Sequence, residues 1–452
     1  MTSRTSMAPR TDIEARIYRK TLIKIIPIVM LGMFISYMDR ANIGVLAAPM
    51  SADLGLTATT FGLAAGLFYI GYLVFEIPSN MALAKFGARK WIARIMVTWG
   101  AVTMLMAFIQ NETQLYITRI LLGIAEAGFS PGVYLFLAFW CTPRLLTKTY
   151  SWFNLAVPIA LSLASAITSA LLLLDGVMGF AGWRWVLFLE GIPAIALAVF
   201  IFIKLPDRPQ NAKWLTDEEK AYLAEVAIQG HDKSGSELKQ LPRVLRRTSA
   251  WIFSLTYFCL TIGFWSITYF MPTIVKEQFQ VGTVAAGFIS AIPWLFSGII
   301  MLFISKSISR TGERKWHMTV VLLLGAVGLV VGALSANPFI AIAGVSVAAA
   351  GFFGALSAFW TMPAQAFAGA LSAVAIAMIN SLGNLSGLVG PTVLGKFKDL
   401  TGSTSTGLLI MSFFFVAAAG LVFVMSAWTD KVTGGLNHDN SLAAKTLVPE
   451  AS

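Results

Sequence analysis

Apolar stretches of about 20 residues recur along almost the whole chain, separated by short polar breaks rich in glycine and basic residues. Each is long enough to cross roughly 30 Å of hydrocarbon as a helix. The pattern predicts twelve spans, near 25–48, 60–83, 91–110, 114–138, 149–174, 183–204, 251–275, 283–305, 317–336, 338–361, 370–394 and 405–428. The expected fold is an all-α polytopic membrane protein with two six-helix bundles. Residues 1–24 form a cytoplasmic tail, 25–204 the first bundle, 205–250 a cytoplasmic linker, 251–428 the second bundle and 429–452 a second tail. Within the linker, Thr216-Asp217-Glu218-Glu219 has capping-box spacing and predicts a short helix.

The polar breaks orient the chain. Lys85, Arg89, Lys90 and Arg94 flank the break between spans two and three, and Lys306, Arg310, Arg314 and Lys315 that between spans eight and nine. The opposite breaks, around Asp53, Glu112 and Asp175, are nearly free of Lys and Arg, which places both termini in the cytoplasm. Lys85-Phe-Gly87-Ala-Arg89-Lys90-Trp91 and Arg310-Thr-Gly312-Glu-Arg314-Lys315-Trp316 repeat one pattern at equivalent points of the two halves. An internal duplication of this kind is typical of secondary transporters.

Composition agrees: 57% of residues are hydrophobic and 12% charged, far from a soluble chain. The net charge of +11 sits in the breaks between spans, so it marks cytoplasmic loops rather than a nucleic-acid surface. The polar, basic first 24 residues and the long run that follows do not fit a cleavable signal. Cys141 and Cys259 are isolated, and His231, His317 and His438 fall in loops, at a span edge or in the tail, so no disulfide framework, metal site or cofactor is expected. Nor does any nucleophile–base constellation suggest an enzyme.

The chemistry concentrates in the first half. Asp39 and Arg40 lie inside span one, where charge costs roughly 2.5–3.5 kcal/mol, so they are expected to face protein or water. Arg119 and Glu126 lie seven apart on one face of span four. Asp39 and Glu126 are candidate proton carriers, Arg40 a candidate anion clamp, and Arg119, with Arg89 and Arg314 in the loops, a gating or structural charge. Glu76 and Glu190, nearer the ends of spans two and six, are expected to be structural or gating residues. The second half offers only neutral groups inside its spans, among them Tyr257, Trp360, Asn380 and Asn384.

Tyr37-x-Asp39-Arg40-x-Asn42, Arg119-x-x-x-Gly123-x-x-Glu126-Ala127-Gly128-x-x-Pro131-Gly132, Gly182-Trp183-Arg184-Trp185 with Glu190-Gly191-x-Pro193, and Leu205-Pro206-Asp207-x-Pro209 together resemble the major facilitator superfamily, and within it the anion:cation symporter family. The resemblance implies a monomeric carrier of the bacterial inner membrane that imports a small organic acid with protons. It implies that Arg40 holds the substrate carboxylate, that Asp39 and Glu126 carry protons, and that Tyr37, Tyr72 and Asn384 line the pocket; Asn380 and Trp360 are further substrate-binding candidates from the neutral groups of the second half. Local strings such as Leu54–Gly62 resemble carriers of 4-hydroxyphenylacetate, and tartrate and phthalate carriers are also similar. An aromatic carboxylate is thus the expected substrate, with tartrate, phthalate, a sugar acid or proton-independent exchange as alternatives. One departure concerns the loop signature: Ala84 and Ser309 stand where the superfamily usually has an aspartate.

Overall fold

A computed structural model describes residues 10–226, 241–367 and 370–446. The linker positions 227–240, with His231, lie outside the described residues. All regular structure among the described residues is helical. The helices are α1 (Arg10–Lys24), α2 (Ile26–Leu54), α3 (Ala58–Phe86), α4 (Ala88–Met106), α5 (Glu112–Glu126), α6 (Phe129–Ala138), α7 (Pro143–Leu171), α8 (Gly182–Lys204) and α9 (Asp217–Val226). They continue as α10 (Leu241–Leu245), α11 (Thr248–Phe279), α12 (Thr283–Thr311), α13 (Lys315–Leu334), α14 (Pro338–Phe359), α15 (Thr361–Ala366), α16 (Ala370–Asn384), α17 (Ser386–Thr401) and α18 (Ser405–Thr446).

Eleven segments among the described residues are long and apolar enough to cross a membrane. The expected third span is also helical, as α4, but Arg89, Lys90 and Arg94 in its first two turns lower its apolar character. Two expected spans are broken. Span four divides at Ala127 (ψ 133°) and Gly128 (φ 85°) into α5 and α6. A Cβ at Gly128 would also lie 2.4 Å from Ser79 Oγ, so both backbone and space require glycine there. The break ends α5 at Glu126. Span eleven divides at Leu385 into α16 and α17. In the linker, the Thr216 N–H donates to Glu219 Oε2 (2.9 Å) and the Glu219 N–H to Thr216 Oγ1 (3.3 Å), the reciprocal capping box that starts α9.

The chain forms two compact units. One gathers the described residues of Met1–Leu56, Leu67–Asp232 and Gly282–Ala291; the other gathers those of Thr57–Gly66, Lys233–Val281 and Ile292–Ser452. In the first unit, glycines bring backbones together. A Cβ at Gly123 on α5 would lie 2.0 Å from the Phe68 carbonyl of α3, and one at Gly71 on α3 would lie 2.2 Å from the Ile120 carbonyl of α5. Gly100 of α4 and Gly191 of α8 do the same for each other, at 2.8 and 2.6 Å from the opposing carbonyls. In the second unit Gly328 of α13 and Gly344 of α14 form the corresponding pair, at 2.4 and 2.5 Å. Small residues at helix crossings gain van der Waals contact where lipid gives no hydrophobic drive. Leu31, Val74, Leu121, Phe303 and Val327 remain exposed, as lipid-facing positions should.

Candidate functional site

The polar residues of α2 turn to two different faces, because consecutive helical positions are about 100° apart. Arg40 therefore does not pair with its neighbour Asp39. Its partner is Glu126: Nη2 lies 2.6 Å and Nε 3.0 Å from Glu126 Oε1. Ser36, one turn earlier on the same face, donates its hydroxyl to the same oxygen at 2.5 Å. Glu126 Oε2 is buried and makes no hydrogen bond. Three rings surround the guanidinium, with centroids 5.2 Å (Tyr37), 5.0 Å (Phe68) and 5.1 Å (Tyr72) from Arg40 Cζ. Arg40 is thus buried, charge-balanced by one carboxylate and flanked by aromatic faces that favour a cation. Arg119, 1% exposed, lies against Phe68 as well, with Cζ 5.3 Å from its centroid.

Asp39 turns to a different face of α2, where Oδ2 accepts a hydrogen bond from Trp99 Nε1 of α4 (2.7 Å). Phe129 packs edge-on against Trp99 at 5.1 Å. One turn further, Asn42 Nδ2 donates to Glu190 Oε2 at 2.5 Å, and Thr168 Oγ1 of α7 donates to Glu190 Oε1 at 2.7 Å. Glu190 is 2% exposed, deep in the first unit and hydrogen-bonded to two helices.

The other expected site residues fall elsewhere. Trp360 packs at 4.8 Å from Tyr257, which also stacks on Phe359 at 4.9 Å. Asn384 Nδ2 donates to Asn380 Oδ1 at 3.0 Å along α16. These residues belong to the second unit, while Tyr37, Arg40, Tyr72, Arg119 and Glu126 belong to the first. Arg89 sits at the start of α4. Its backbone N–H donates to Asp207 Oδ1 (2.7 Å), and Nε lies 3.5 Å from Oδ2. Asp207, from the linker, thus brings a carboxylate to the turn whose own loop carries none at 84. Arg314 precedes α13, and its carbonyl accepts from the Met318 N–H.

Ser36, Trp99 and Thr168 join these clusters without having been singled out in the sequence. Ser36 carries a usable signal, its i,i+4 spacing to Arg40. Trp99 and Thr168 carry none, because each reaches its partner across a helix crossing.

Charged groups persist inside a membrane only where they face protein or a solute path, and two clusters of them lie buried in the first unit of this polytopic helical protein. The chain matches the Major Facilitator Superfamily over residues 29–391, and it belongs to that family of secondary transporters. It is 40% identical over 420 residues, 93% of either chain, to a protein of Agrobacterium vitis named "Putative tartrate transporter". It is 36% identical to a quinolone resistance transporter of Acinetobacter baumannii, covering 92% of this chain and 96% of that one. Among solved structures it is similar in fold to a D-xylose-proton symporter, with a TM-score of 0.73 at 15% identity, covering 89% of this chain and 97% of that one.

Proposed function

We propose that the protein imports a small organic acid into a bacterial cell by alternating access, with protons as the coupling ion, acting as a monomer in the inner membrane with both termini cytoplasmic. The observation that carries the reading is the Arg40–Glu126 pair in its aromatic cage. A guanidinium presents a planar fork that fits a carboxylate in two-point fashion. While Glu126 is ionised it occupies that fork from inside the protein. Protonating Glu126 removes the internal anion and frees Arg40 for the carboxylate of the substrate. Deprotonation after release restores the internal pair. Substrate and Glu126 thus compete for one cation, and that competition couples an acid to a proton. The exchange partner of Arg40 is Glu126 on α5 rather than Asp39 beside it.

Relatives named for tartrate at 40% and 38% identity put a hydroxy-dicarboxylate first among substrates. The rings of Tyr37, Phe68 and Tyr72 around Arg40 favour the second reading, an aromatic monocarboxylate such as 4-hydroxyphenylacetate. The test is uptake of radiolabelled tartrate, 4-hydroxyphenylacetate, phthalate and a sugar acid into proteoliposomes, with and without an inward proton gradient. Accumulation of one acid driven by the gradient is expected. Equilibration that ignores the gradient would replace symport by exchange or facilitation. Arg40→Ala should abolish binding, and Glu126→Gln should bind substrate but no longer respond to the gradient. Unchanged affinity in Arg40→Ala would refute the anion clamp.

A further inference from the structure

Arg94 on α4 is a cation of the first unit that the charge pairs leave out. Arg16, Arg40, Arg89 and Arg184 each meet a carboxylate, of Glu218, Glu126, Asp207 and Asp53 respectively. Arg94 forms no ion pair among the described residues, and its Nε is buried without a hydrogen-bond partner. What it meets is a ring: Cζ lies 4.0 Å from the centroid of Trp91, one turn earlier. The Trp91 indole N–H donates to Ser79 Oγ of α3 (3.0 Å), which fixes the ring and leaves its faces for contact. Phe86, itself exposed, stacks on the same indole at 5.5 Å. Arg94 also lies on the outward stripe of α4. Lys90, Val97, Ala101 and Leu105, spaced four, three, four and four around it, are all exposed. Three of these are apolar, so in a membrane the stripe meets lipid chains. Arg94 stands about 9 Å along the helix from its first residue, Ala88. A guanidinium at that depth, near the boundary of headgroups and hydrocarbon, keeps its charge by reaching back toward the headgroups.

We propose that Arg94, Trp91 and Lys90 form a binding site for the phosphodiester of an anionic phospholipid, with phosphatidylglycerol the simplest fit. The guanidinium donates to two phosphate oxygens, and Trp91 holds its plane from one side. Lys90, one turn before, and Lys85, whose ammonium lies 5.4 Å from the Phe86 ring, add positive charge toward the water. The stripe of Val97, Ala101 and Leu105 receives an acyl chain. A headgroup that carries its own ammonium brings a like charge to Arg94 and Lys90, so a headgroup without one binds better. Inorganic phosphate from water gains nothing from the stripe. The duplicated turn does not build the site twice. In the second half Glu313 stands in the place of Ala88, and Thr319 in that of Arg94. Glu313 accepts hydrogen bonds from the Trp316 and His317 N–H groups, so that turn already holds a carboxylate. The site is thus peculiar to the first unit, and nothing in it depends on which acid is carried.

The experiment is native mass spectrometry of the purified full-length protein, titrated with phosphatidylglycerol and, in parallel, with phosphatidylcholine. The first phosphatidylglycerol should bind at least about fivefold more tightly than phosphatidylcholine, and Arg94→Gln should weaken it at least about fivefold. Arg310→Gln removes the same charge from an exposed place in the second turn and should stay within about twofold of wild type. Equal weakening in the two variants would reduce the effect to general surface charge and overturn the site, as would wild-type protein that holds both lipids alike. Excess inorganic phosphate should leave the bound lipid in place; displacement would assign Arg94 to a water-borne anion and overturn the lipid assignment. A second readout needs no variant and so holds even if Arg94→Gln does not fold. Phosphatidylglycerol carrying a diazirine in one acyl chain, irradiated with the wild-type protein in nanodiscs, should label the exposed stripe within 97–105. Labelling that leaves that stretch untouched would overturn the proposal.

Discussion

The Gly123→Ala substitution tests how the site is held. A Cβ at position 123 would lie 2.0 Å from the Phe68 carbonyl oxygen and 2.8 Å from the Tyr72 nitrogen. Ordinary C···O contact is about 3.3 Å, so α3 and α5 must separate by ~1.3 Å. The obstacle is backbone, which cannot rotate away as a side chain would, and the reciprocal contact at Gly71 leaves no slack on the other helix. Overpacking of this kind costs about 1–3 kcal/mol. It also moves Phe68 and Tyr72, whose centroids lie 5.0 and 5.1 Å from the Arg40 guanidinium, relative to the Glu126 carboxylate at the end of α5. Losing about 1.4 kcal/mol of that positioning is a tenfold loss of affinity. The assay pairs thermal unfolding of the detergent-purified protein with a substrate dissociation constant. The control is Gly420→Ala on α18, where the new methyl meets nothing within 4 Å. Gly123→Ala should be destabilised and bind at least about tenfold more weakly, while Gly420→Ala should match or slightly exceed wild-type stability. If the two variants behave alike, the close crossing of α3 and α5 does not hold the site, and the reasoning is refuted.

Two further predictions concern the contact between α1 and α9 and the thiol of Cys141. Glu219 on α9 is held by Lys20 of α1 at 2.7 Å; burial pushes its carboxyl up, but the Lys20 and Thr216 hydrogen bonds and the charges of Lys20 and Arg16 outweigh this and leave it below the ordinary value. A lowered native value means the contact contributes fully above the unfolded value near ~4.3 and is lost as pH falls through the native one, so the protection of α1 amides, corrected for intrinsic exchange, should fall as pH drops from about 5 to about 2 and in Lys20→Ala at pH 7, and protection unchanged across that acid range would refute it. Cys141, just after α6, is buried and its thiol is pushed up from 9.0 to about 11, chiefly by burial. Its thiolate fraction at neutral pH is therefore about 100-fold below that of an ordinary thiol, and maleimide labelling should be slower by at least that factor; labelling at a free-thiol rate would refute the burial.

Helical class, and eleven of the twelve expected spans, were legible because a bilayer accepts only long apolar helices, and that demand writes itself locally into twenty-residue runs. The boundaries were less so. Gly128 breaks span four through a positive φ and the proximity of Ser79, and α4 owes its weaker apolar character to three basic residues that also mark the loop. The duplicated glycine-basic turns could be read directly, whereas the carboxylate that serves Arg89 comes from Asp207, 118 positions away.

What the sequence by itself determined is which ionisable residues fall within the apolar runs, Asp39, Arg40, Arg119 and Glu126 among them, each conspicuous because its cost in a membrane demands a reason. Which of them pair was decided by tertiary structure alone. Adjacent residues on a helix point about 100° apart, so Asp39 and Arg40 part company, one toward Trp99 and the other toward Glu126. The place of Glu190 was invisible for the same reason. Its distance along the chain from Asn42 and Thr168 says nothing of their contact, which arises only where α2, α7 and α8 cross and leave a buried carboxylate among neutral donors.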